Sequence, residues 1–220
     1  TGQHFQDYIV RKKLTKQFRF LGADKKIAKK TGIGCVALDL SDPVKLEKLL
    51  VKTRPDYIVN LAGAFRPDNL NVLRNANTEI FRNILEIVVR KKMGILKILL
   101  IGSAAEYGLG RDLPIRECAP IKPVTSYGLS KAIQALLADY YYKKHKINVS
   151  IARTFNIIGK NISPELSVGS FINLIKNAKE GDAISVGNLN TKRDFLDVDD
   201  VVDAYWKILI WGRPGEVYNV

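Results

Sequence analysis

The sequence predicts an α/β fold in which helices cover both faces of a parallel β-sheet, and two observations support this prediction. Short apolar segments alternate with helical segments along the chain. Two of the apolar segments, residues 57–61 and 97–101, are runs of mostly apolar residues without regular alternation. Strands that are buried on both faces of a sheet have this pattern. We therefore expect a doubly wound sheet.

The elements follow one another along the whole chain. The expected strands cover residues 17–23, 33–38, 56–61, 95–101, 147–153 and 217–220. The expected helices cover residues 3–14, 43–53, 69–92, 126–146, 167–179 and 199–211. We expect Ser126 to cap the helix that follows Pro123, and the pair Asp199–Asp200 to begin the last helix, because both residue types favour helix N-termini.

Composition limits the classes of function. The 220 residues, 46% of them hydrophobic, suffice for one sizeable domain. The longest apolar run, residues 95–101, is too short to span a bilayer, so no membrane association is expected. Cys35 and Cys118 have no metal-ligand spacing and suggest no disulfide framework. We expect a reduced, cytoplasmic protein without a metal site.

The net charge of +13 comes from 35 basic and 22 acidic residues. The basic residues are scattered, and no RNA-binding motif or DNA-recognition helix accompanies them, so nucleic-acid binding is not expected. Solvated helix ends explain most of this charge, and attraction of a doubly anionic nucleotide substrate is a second explanation.

A tyrosine and a lysine with helical spacing suggest proton-transfer chemistry. Tyr127 and Lys131 lie four residues apart, on one face of the expected helix. A cation beside a phenol favours the phenolate, so we expect Lys131 to lower the pKa of Tyr127 from about 10. Such a phenol can exchange a proton with a carbonyl or an alcohol. Ser103 follows an expected strand, at the sheet edge where α/β proteins bind ligands.

Four motifs together resemble a known family. They are the segment 101–108, Tyr127 with Lys131, the segment 153–159 and the segment 193–200. The chain is similar to extended short-chain dehydrogenases/reductases of the nucleotide-sugar epimerase/dehydratase type, which have a Rossmann fold. The resemblance implies that Ser103 hydrogen-bonds the reacting oxygen, that Tyr127 exchanges its proton, and that Lys131 also contacts the nicotinamide ribose.

The resemblance also implies an NAD or NADP site. Asp24 would bind the adenosine ribose, but Lys25 and Lys26 suit a 2′-phosphate, so the choice between NAD and NADP stays open. Gly2 fits the last glycine of a Gly-rich turn that allows close helix–strand packing. The full set of expected cofactor-binding residues is Gly2, Asp24, Asp39, Leu40, Asn60, Leu61, Ala62, Gly63, Asn77, Tyr127 and Lys131.

The expected substrate is a nucleotide-diphosphate sugar. Asn156 and Arg193 match family residues near the diphosphate, and a guanidinium suits that group because its donors form a rigid fork. Dehydratases of the family carry two acids after the catalytic Ser or Thr, where this chain has Ala104 and Ala105. The residues expected to contact substrate are Ser103, Ala104, Glu106, Asn156 and Arg193.

The resemblance therefore favours reduction of a C4 keto group. The C-terminal half is similar to GDP-6-deoxy-4-keto-D-mannose reductases, which suggests a GDP-linked 6-deoxyhexose. A nucleotide-sugar 4-epimerase is the main alternative, and a 4,6-dehydratase is less favoured because the acidic pair is absent. A catalytically silent nucleotide-binding regulator is the alternative outside enzymes.

We assign residues 1–155 and 196–213 to an NAD(P)-binding Rossmann domain. Residues 156–195 and 214–220 are assigned to a nucleotide-sugar-binding region. We expect the first strand and Gly-rich loop to precede Thr1 and the C-terminus to be truncated; a protein that naturally lacks the loop is the alternative. Apolar stripes on helices 69–92 and 126–146 predict a homodimer, although both stripes can instead face the sheet.

Overall fold

The computed structural model describes residues 1–27, 32–66, 68–109 and 113–220. Within these ranges the strands are β1 (Leu21–Asp24), β2 (Gly34–Ala37), β3 (Tyr57–Asn60), β4 (Lys97–Ser103), β5 (Val149–Thr154), β6 (Asn156–Ile158), β7 (Phe195–Asp197) and β8 (Val217–Asn219). The helices are α1 (Gly2–Arg11), α2 (Pro43–Thr53), α3 (Leu70–Leu73), α4 (Ile80–Arg90), α5 (Ser126–His145), α6 (Ser167–Asn177) and α7 (Val198–Trp211). Short 3₁₀ turns cover Leu14–Lys16 and Ala104–Glu106.

Every strand pairing in the described residues is parallel. The largest sheet has the order β3-β4-β5-β8, while β1 pairs with β2 and β6 pairs with β7. In the centre of the large sheet, Leu99 of β4 lies opposite Ser150 of β5. The predicted α/β class with a parallel sheet is confirmed, and β8 extends this sheet although residues 214–220 had been assigned to the substrate region.

Strand β4 separates two hydrophobic cores. Ile98 and Leu100 pack in the core formed with α2, α4 and α5. Leu99, which points to the opposite face, packs in the core formed with α1 and α7. These three side chains are fully buried, as the continuous apolar pattern predicted.

Several element boundaries differ from the predicted ones. The expected strand 17–23 is limited to β1, and Phe18 instead packs against Trp206 of α7 with ring centroids 5.3 Å apart. Thr125 rather than Ser126 caps α5, through a 3.0 Å hydrogen bond from the Gly128 amide. The last helix begins after Asp197, which accepts a hydrogen bond from the backbone amide of Asp199.

The expected helix 69–92 is interrupted, and one strand pair was not predicted. A π-helical turn, Arg74–Glu79, separates α3 from α4; such turns occur often at functional sites. The strands β6 and β7 have three residues each and pair with one another, so their sequences carry too few positions for a recognisable period.

In the part of the chain that the structure describes, no helix combines the length and the apolar character needed to cross a bilayer. The longest of these helices, α5, has 20 residues and includes charged residues along its length. Its inner face packs on the sheet in the core shared with α4.

Lys97, the first residue of β4, forms hydrogen bonds to the C-terminal end of α7. The Lys97 side chain is buried, and its Nζ donates to the backbone carbonyl oxygens of Ile208, at 3.5 Å, and Gly212. Both carbonyls lie at the C-terminal end of α7, where the helix dipole favours a cation, and the Ile208 carbonyl also accepts a 2.9 Å hydrogen bond from the Gly212 amide. Burial lowers the pKa of Lys97.

We expect Lys97→Met to lower the free energy of unfolding by about 1–3 kcal/mol, because the Gly212 carbonyl oxygen loses its side-chain donor. Urea denaturation followed by circular dichroism measures the change. Lys48→Met, at an exposed position on α2, is the matched control and should stay within about 0.5 kcal/mol of the wild type. Equal stability of the two variants would contradict this role of Lys97.

Candidate active site

The three predicted catalytic residues line one cleft at the carboxyl end of β4. This is the sheet edge at which open α/β proteins bind ligands. The cleft has a volume of about 190 Å³. Its lining consists of Thr1, Leu61, Gly63, Ala64, Phe65, Ile101, Gly102, Ser103, Tyr127, Lys131, Thr154, Phe155, Ile157 and Tyr205.

Ser103 ends β4 and caps the 3₁₀ turn that follows. Its Oγ accepts a 3.2 Å hydrogen bond from the Ala105 amide, and its own amide donates to Glu106 Oε1 at 2.8 Å. This reciprocal arrangement is a capping box, and it fixes both the backbone and the side chain of Ser103. A hydrogen bond from Ser103 to the phenol oxygen lowers the pKa of Tyr127.

Burial nevertheless dominates the protonation of Tyr127. Removal from water raises the pKa of Tyr127, the Ser103 hydrogen bond partly opposes this, and the negative charge of Glu106 raises the pKa further. The expectation that Lys131 lowers this pKa is wrong for the described structure. In this conformation desolvation is the largest influence on the phenol, so Tyr127 carries its proton at neutral pH.

Lys131 points to the strand backbone. The side chain is 6% exposed, and its Nζ donates a 2.9 Å hydrogen bond to the Ile101 carbonyl oxygen. Burial lowers the pKa of Lys131 from 10.5 to about 8, while the charge of Glu106 opposes this shift. The ammonium therefore loses its proton within a physiologically relevant pH range.

Asn77, which was predicted to contact cofactor, instead fixes the loop after β3. Its Oδ1 accepts from the Ala64 amide at 2.7 Å, and its Nδ2 donates to the Ala64 carbonyl at 2.9 Å and to Ser130 Oγ at 2.8 Å. The side-chain amide is fully buried and all its donors are used. A Cβ on Gly63 would lie 2.8 Å from Asn77 Oδ1, so only glycine allows this approach.

The other predicted residues after β3 lie at or beside the cleft. Leu61 and Gly63 line it, whereas Ala62 packs into the core with α4 and α5. Asn60 is 4% exposed, and its Nδ2 has no hydrogen-bond partner in the described protein. A buried donor without a partner is uncommon, and Asn60 itself does not line the cleft but precedes Leu61, which does.

The expected adenosine-binding residues lie outside the cleft lining. Asp39 accepts hydrogen bonds from Ser41, which with Lys25 at 3.1 Å lower its pKa to about 2. Asp24 is exposed and accepts a 3.3 Å hydrogen bond from the Lys26 amide. Lys25 thus pairs with Asp39 here, which leaves NAD and NADP both open.

Two cofactor predictions lack the expected contacts. Leu40 packs against the core with α2 and α4 and is partly buried. Gly2 is not required by close packing, because a Cβ there would meet no described atom within 4 Å.

The substrate predictions have mixed outcomes. Glu106 was expected to contact substrate but is fully buried and forms an ion pair with Arg153 at 2.7 Å, so it is not available to a ligand. Ala104 is partly exposed in the 3₁₀ turn. Asn156 and Arg193 are exposed and donate to the backbone oxygens of Asp194 and Lys192, and neither lines the cleft.

Sequence reasoning missed two polar residues of the cleft. Thr154 Oγ1 and Tyr205 Oη are joined by a 2.7 Å hydrogen bond, and both residues are buried. Burial raises the pKa of Tyr205, and a Tyr127 phenolate would raise it further. Tyr205 lies on α7 among apolar residues, where the sequence indicates core packing and gives no sign of a site.

The residues described here offer no group of three or more His, Cys, Asp or Glu side chains that could hold a metal ion. The polar groups in the cleft are hydroxyls, an ammonium and backbone groups. This set suits hydrogen bonding and proton transfer.

Comparison with known proteins decides the family. The sequence profile of the NAD dependent epimerase/dehydratase family matches residues 2–220. The chain belongs to this family. The resemblance carried by the four motifs is thereby confirmed, and it applies to almost the entire chain.

Two relatives in the epimerase/dehydratase family have names that refer to GDP-linked 6-deoxyhexoses. GDP-6-deoxy-D-talose 4-dehydrogenase of Aggregatibacter actinomycetemcomitans is 28% identical over 185 residues, 83% of this chain and 62% of the relative. GDP-6-deoxy-D-mannose reductase of Pseudomonas aeruginosa is 31% identical over 194 residues, with coverages of 83% and 62%. The chain thus spans less than two thirds of the length of either relative.

Two solved structures share the fold of this chain. A dTDP-glucose 4,6-dehydratase from Bacillus anthracis, in complex with NAD, has a TM-score of 0.85 and 24% identity, with 100% of this chain and 71% of that chain covered. RMD from Pseudomonas aeruginosa, complexed with NADPH, has a TM-score of 0.76 and 26% identity, with coverages of 91% and 77%.

We expect Asn77→Ala to release the loop after β3, because Ala64 and Ser130 lose their buried partners at a cost of about 1–3 kcal/mol for each unpaired group. Hydrogen exchange of the Ala64 amide should accelerate by at least about tenfold. Asn71→Ala, at an exposed position on α3, is the control and should leave this exchange rate unchanged. Unchanged Ala64 protection in Asn77→Ala would refute the assignment.

Proposed function

We propose that this chain carries the catalytic site of an NAD(P)-dependent nucleotide-sugar oxidoreductase that reduces a C4 keto group. The proposed substrate is a GDP-linked 4-keto-6-deoxyhexose, because two relatives have names that refer to GDP-linked 6-deoxyhexoses. The observation that carries the proposal is the convergence of Ser103, Tyr127 and Lys131 in one cleft at the end of β4.

The protonation of these residues supports the reductive direction. Tyr127 retains its proton because burial raises its pKa, so it can donate to a C4 oxygen that gains negative charge. Ser103 is fixed by its capping box and offers a second hydroxyl to the same oxygen. Lys131 lines the same cleft, and in its ammonium form it favours the negative charge that develops on the C4 oxygen during reduction.

The described residues fit part of a dinucleotide site. Gly63 leaves space beside Asn77 and Lys131, and Asn60 presents an unpaired donor next to this segment. Leu61, Gly63 and Lys131 would hold the nicotinamide half of NAD or NADP. When bound, that cofactor would supply the hydride for the reduction.

The second candidate function is 4-epimerisation, because it uses the same Ser103, Tyr127 and Lys131. An epimerase recycles a bound cofactor, whereas a reductase consumes NAD(P)H stoichiometrically. A 4,6-dehydratase is disfavoured because Ala104 and Ala105 stand where the family resemblance implies an acidic pair, and Glu106 is held by Arg153. These alternatives differ in their net cofactor turnover and are separable by experiment.

We also propose a homodimer, with α5 rather than α4 supplying most of the interface. The stripe on α4 is buried against the sheet, so it supplies little of such an interface. On α5, however, Leu129, Leu136 and Tyr140 are 39%, 61% and 47% exposed and lie along one side of the helix. Light scattering coupled to gel filtration should give twice the mass of one chain, and a monomer would refute this.

The protein, incubated with GDP-4-keto-6-deoxymannose, should oxidise NADH or NADPH in proportion to the sugar reduced. Tyr127→Phe should lower kcat by about 10²–10⁴-fold, because the proton donor is lost. Tyr142→Phe, on the same helix but outside the cleft, is the matched control. C4 inversion of a UDP- or GDP-hexose without net cofactor oxidation would favour the epimerase, and no activity in either assay would favour a silent nucleotide-binding protein.

The rate of reduction should fall as the pH rises through about 8. Burial lowers the pKa of Lys131 to about 8, so the ammonium prevails below this pH and the neutral amine above it. Tyr127 stays protonated over the same range because its pKa is raised above 10. A kcat profile that is flat from pH 7 to about 9.5 would contradict this assignment of Lys131.

A further inference from the structure

We infer that Glu106 and Arg153 form a positioning pair that holds Ser103 in its working geometry, an inference that rests on the proposed function. Neither side chain lines the cleft, and both are buried, at 0% and 4% side-chain exposure. The pair lies directly behind the cleft, between the end of β4 and the end of β5.

The two oxygens of Glu106 have separate partners. Oε1 accepts from the Ser103 amide at 2.8 Å, and Oε2 accepts from Arg153 Nε at 2.7 Å. The Ser103 amide is thus tied to β5 through a carboxylate and a guanidinium. Gly102 leaves the room for this contact, since a Cβ there would lie 2.5 Å from Glu106 Oε1.

Arg153 is in turn held by contacts with Tyr107 and Glu117. Its Nη1 donates to Tyr107 Oη at 2.9 Å and to the Glu117 carbonyl at 3.3 Å. Its guanidinium carbon lies 4.7 Å from the centre of the Tyr107 ring. Tyr107 Oη donates to Asn219 Oδ1 of β8 at 2.7 Å. Arg153 therefore cannot move without breaking contacts to two further segments.

Core packing alone does not explain the buried ion pair of Glu106 with Arg153. A buried ion pair is seldom a net source of stability, because desolvation of both ions offsets their attraction. An apolar pair of similar volume would fill the same space. What an apolar pair would lack is an acceptor for the Ser103 amide at the residue whose hydroxyl enters the cleft.

The charge of Glu106 also reaches the catalytic helix. The ionisable groups around it are Arg153 on β5, Tyr127 and Lys131 on α5, and the adjacent Tyr107. Its negative charge raises the pKa of both Tyr127 and Lys131. Removal of that charge should lower both values, so the pH dependence of the reaction should move to lower pH.

Glu106→Gln tests the inference, since the amide keeps the shape but has only one acceptor oxygen for two donors. We expect kcat to fall by about 10–100-fold, KM to change by less than about threefold, and the basic limb of the pH profile to shift downward. Glu47→Gln, which removes the ion pairs to Arg90 and Lys91 far from the cleft, is the matched control and should retain wild-type kinetics.

Two readouts remain valid if the protein lacks the proposed activity. Hydrogen exchange of the Ser103 amide should accelerate in Glu106→Gln, and the Lys131 pKa measured by ¹³C NMR should fall below its wild-type value. Inactive wild-type protein would refute the proposed function alone. Unchanged Ser103 exchange and an unchanged Lys131 pKa would refute the positioning role.

The double variant Glu106→Gln with Arg153→Met covers the case in which the single variant fails to fold. It removes both charges, so no unpaired guanidinium remains buried. A folded double variant with lowered kcat and fast Ser103 exchange supports the inference. A folded double variant with wild-type kcat, pH profile and Ser103 exchange overturns it.

Discussion

The burial of β4 between two helical layers is the constraint on which the rest of the structure depends. Its side chains alternate between the two cores, so the strand can neither slip nor tilt without exposing large apolar groups. The same strand supplies the Ile101 carbonyl that receives Lys131, and it ends in Ser103. The packing of the core therefore fixes the positions of the Ile101 carbonyl and of Ser103 in the cleft.

Around this strand, removal from water controls the chemistry of the site. Desolvation favours the neutral form of every acid and base, so it raises the pKa of Tyr127 and lowers that of Lys131. The pKa values of a free tyrosine and a free lysine are similar, and these opposite shifts move them apart. Among the residues that the structure describes, Glu106 counteracts this effect on Lys131, which makes the buried carboxylate an electrostatic as well as a geometric part of the site.

The parts of the site that follow from local sequence were predictable, and the parts that depend on distant contacts were not. Tyr127 and Lys131 share a helix face, and their spacing indicated a functional pair once the other motifs of the chain were considered with it. Glu106 was expected to contact substrate but is buried against Arg153, which follows 47 residues later, and no local pattern reveals that pairing. Similarly, the three-residue strands β6 and β7 form through their pairing with each other, which no local pattern reveals. Asn77 was assigned to the cofactor, but its side-chain amide forms hydrogen bonds to Ala64 and Ser130 instead.

The burial of Lys97 has a consequence for chemical labelling. Acylating reagents attack neutral amines that they can reach, and most lysines of this chain lie on the surface. Lys97 and Lys131 are both buried, Lys97 at the end of α7 and Lys131 in the wall of the cleft. Each lysine would be acylated only when the structure around it opens locally. The acylation rates of the two lysines, measured together by mass spectrometry, would therefore give the rates of local opening on the two sides of the sheet.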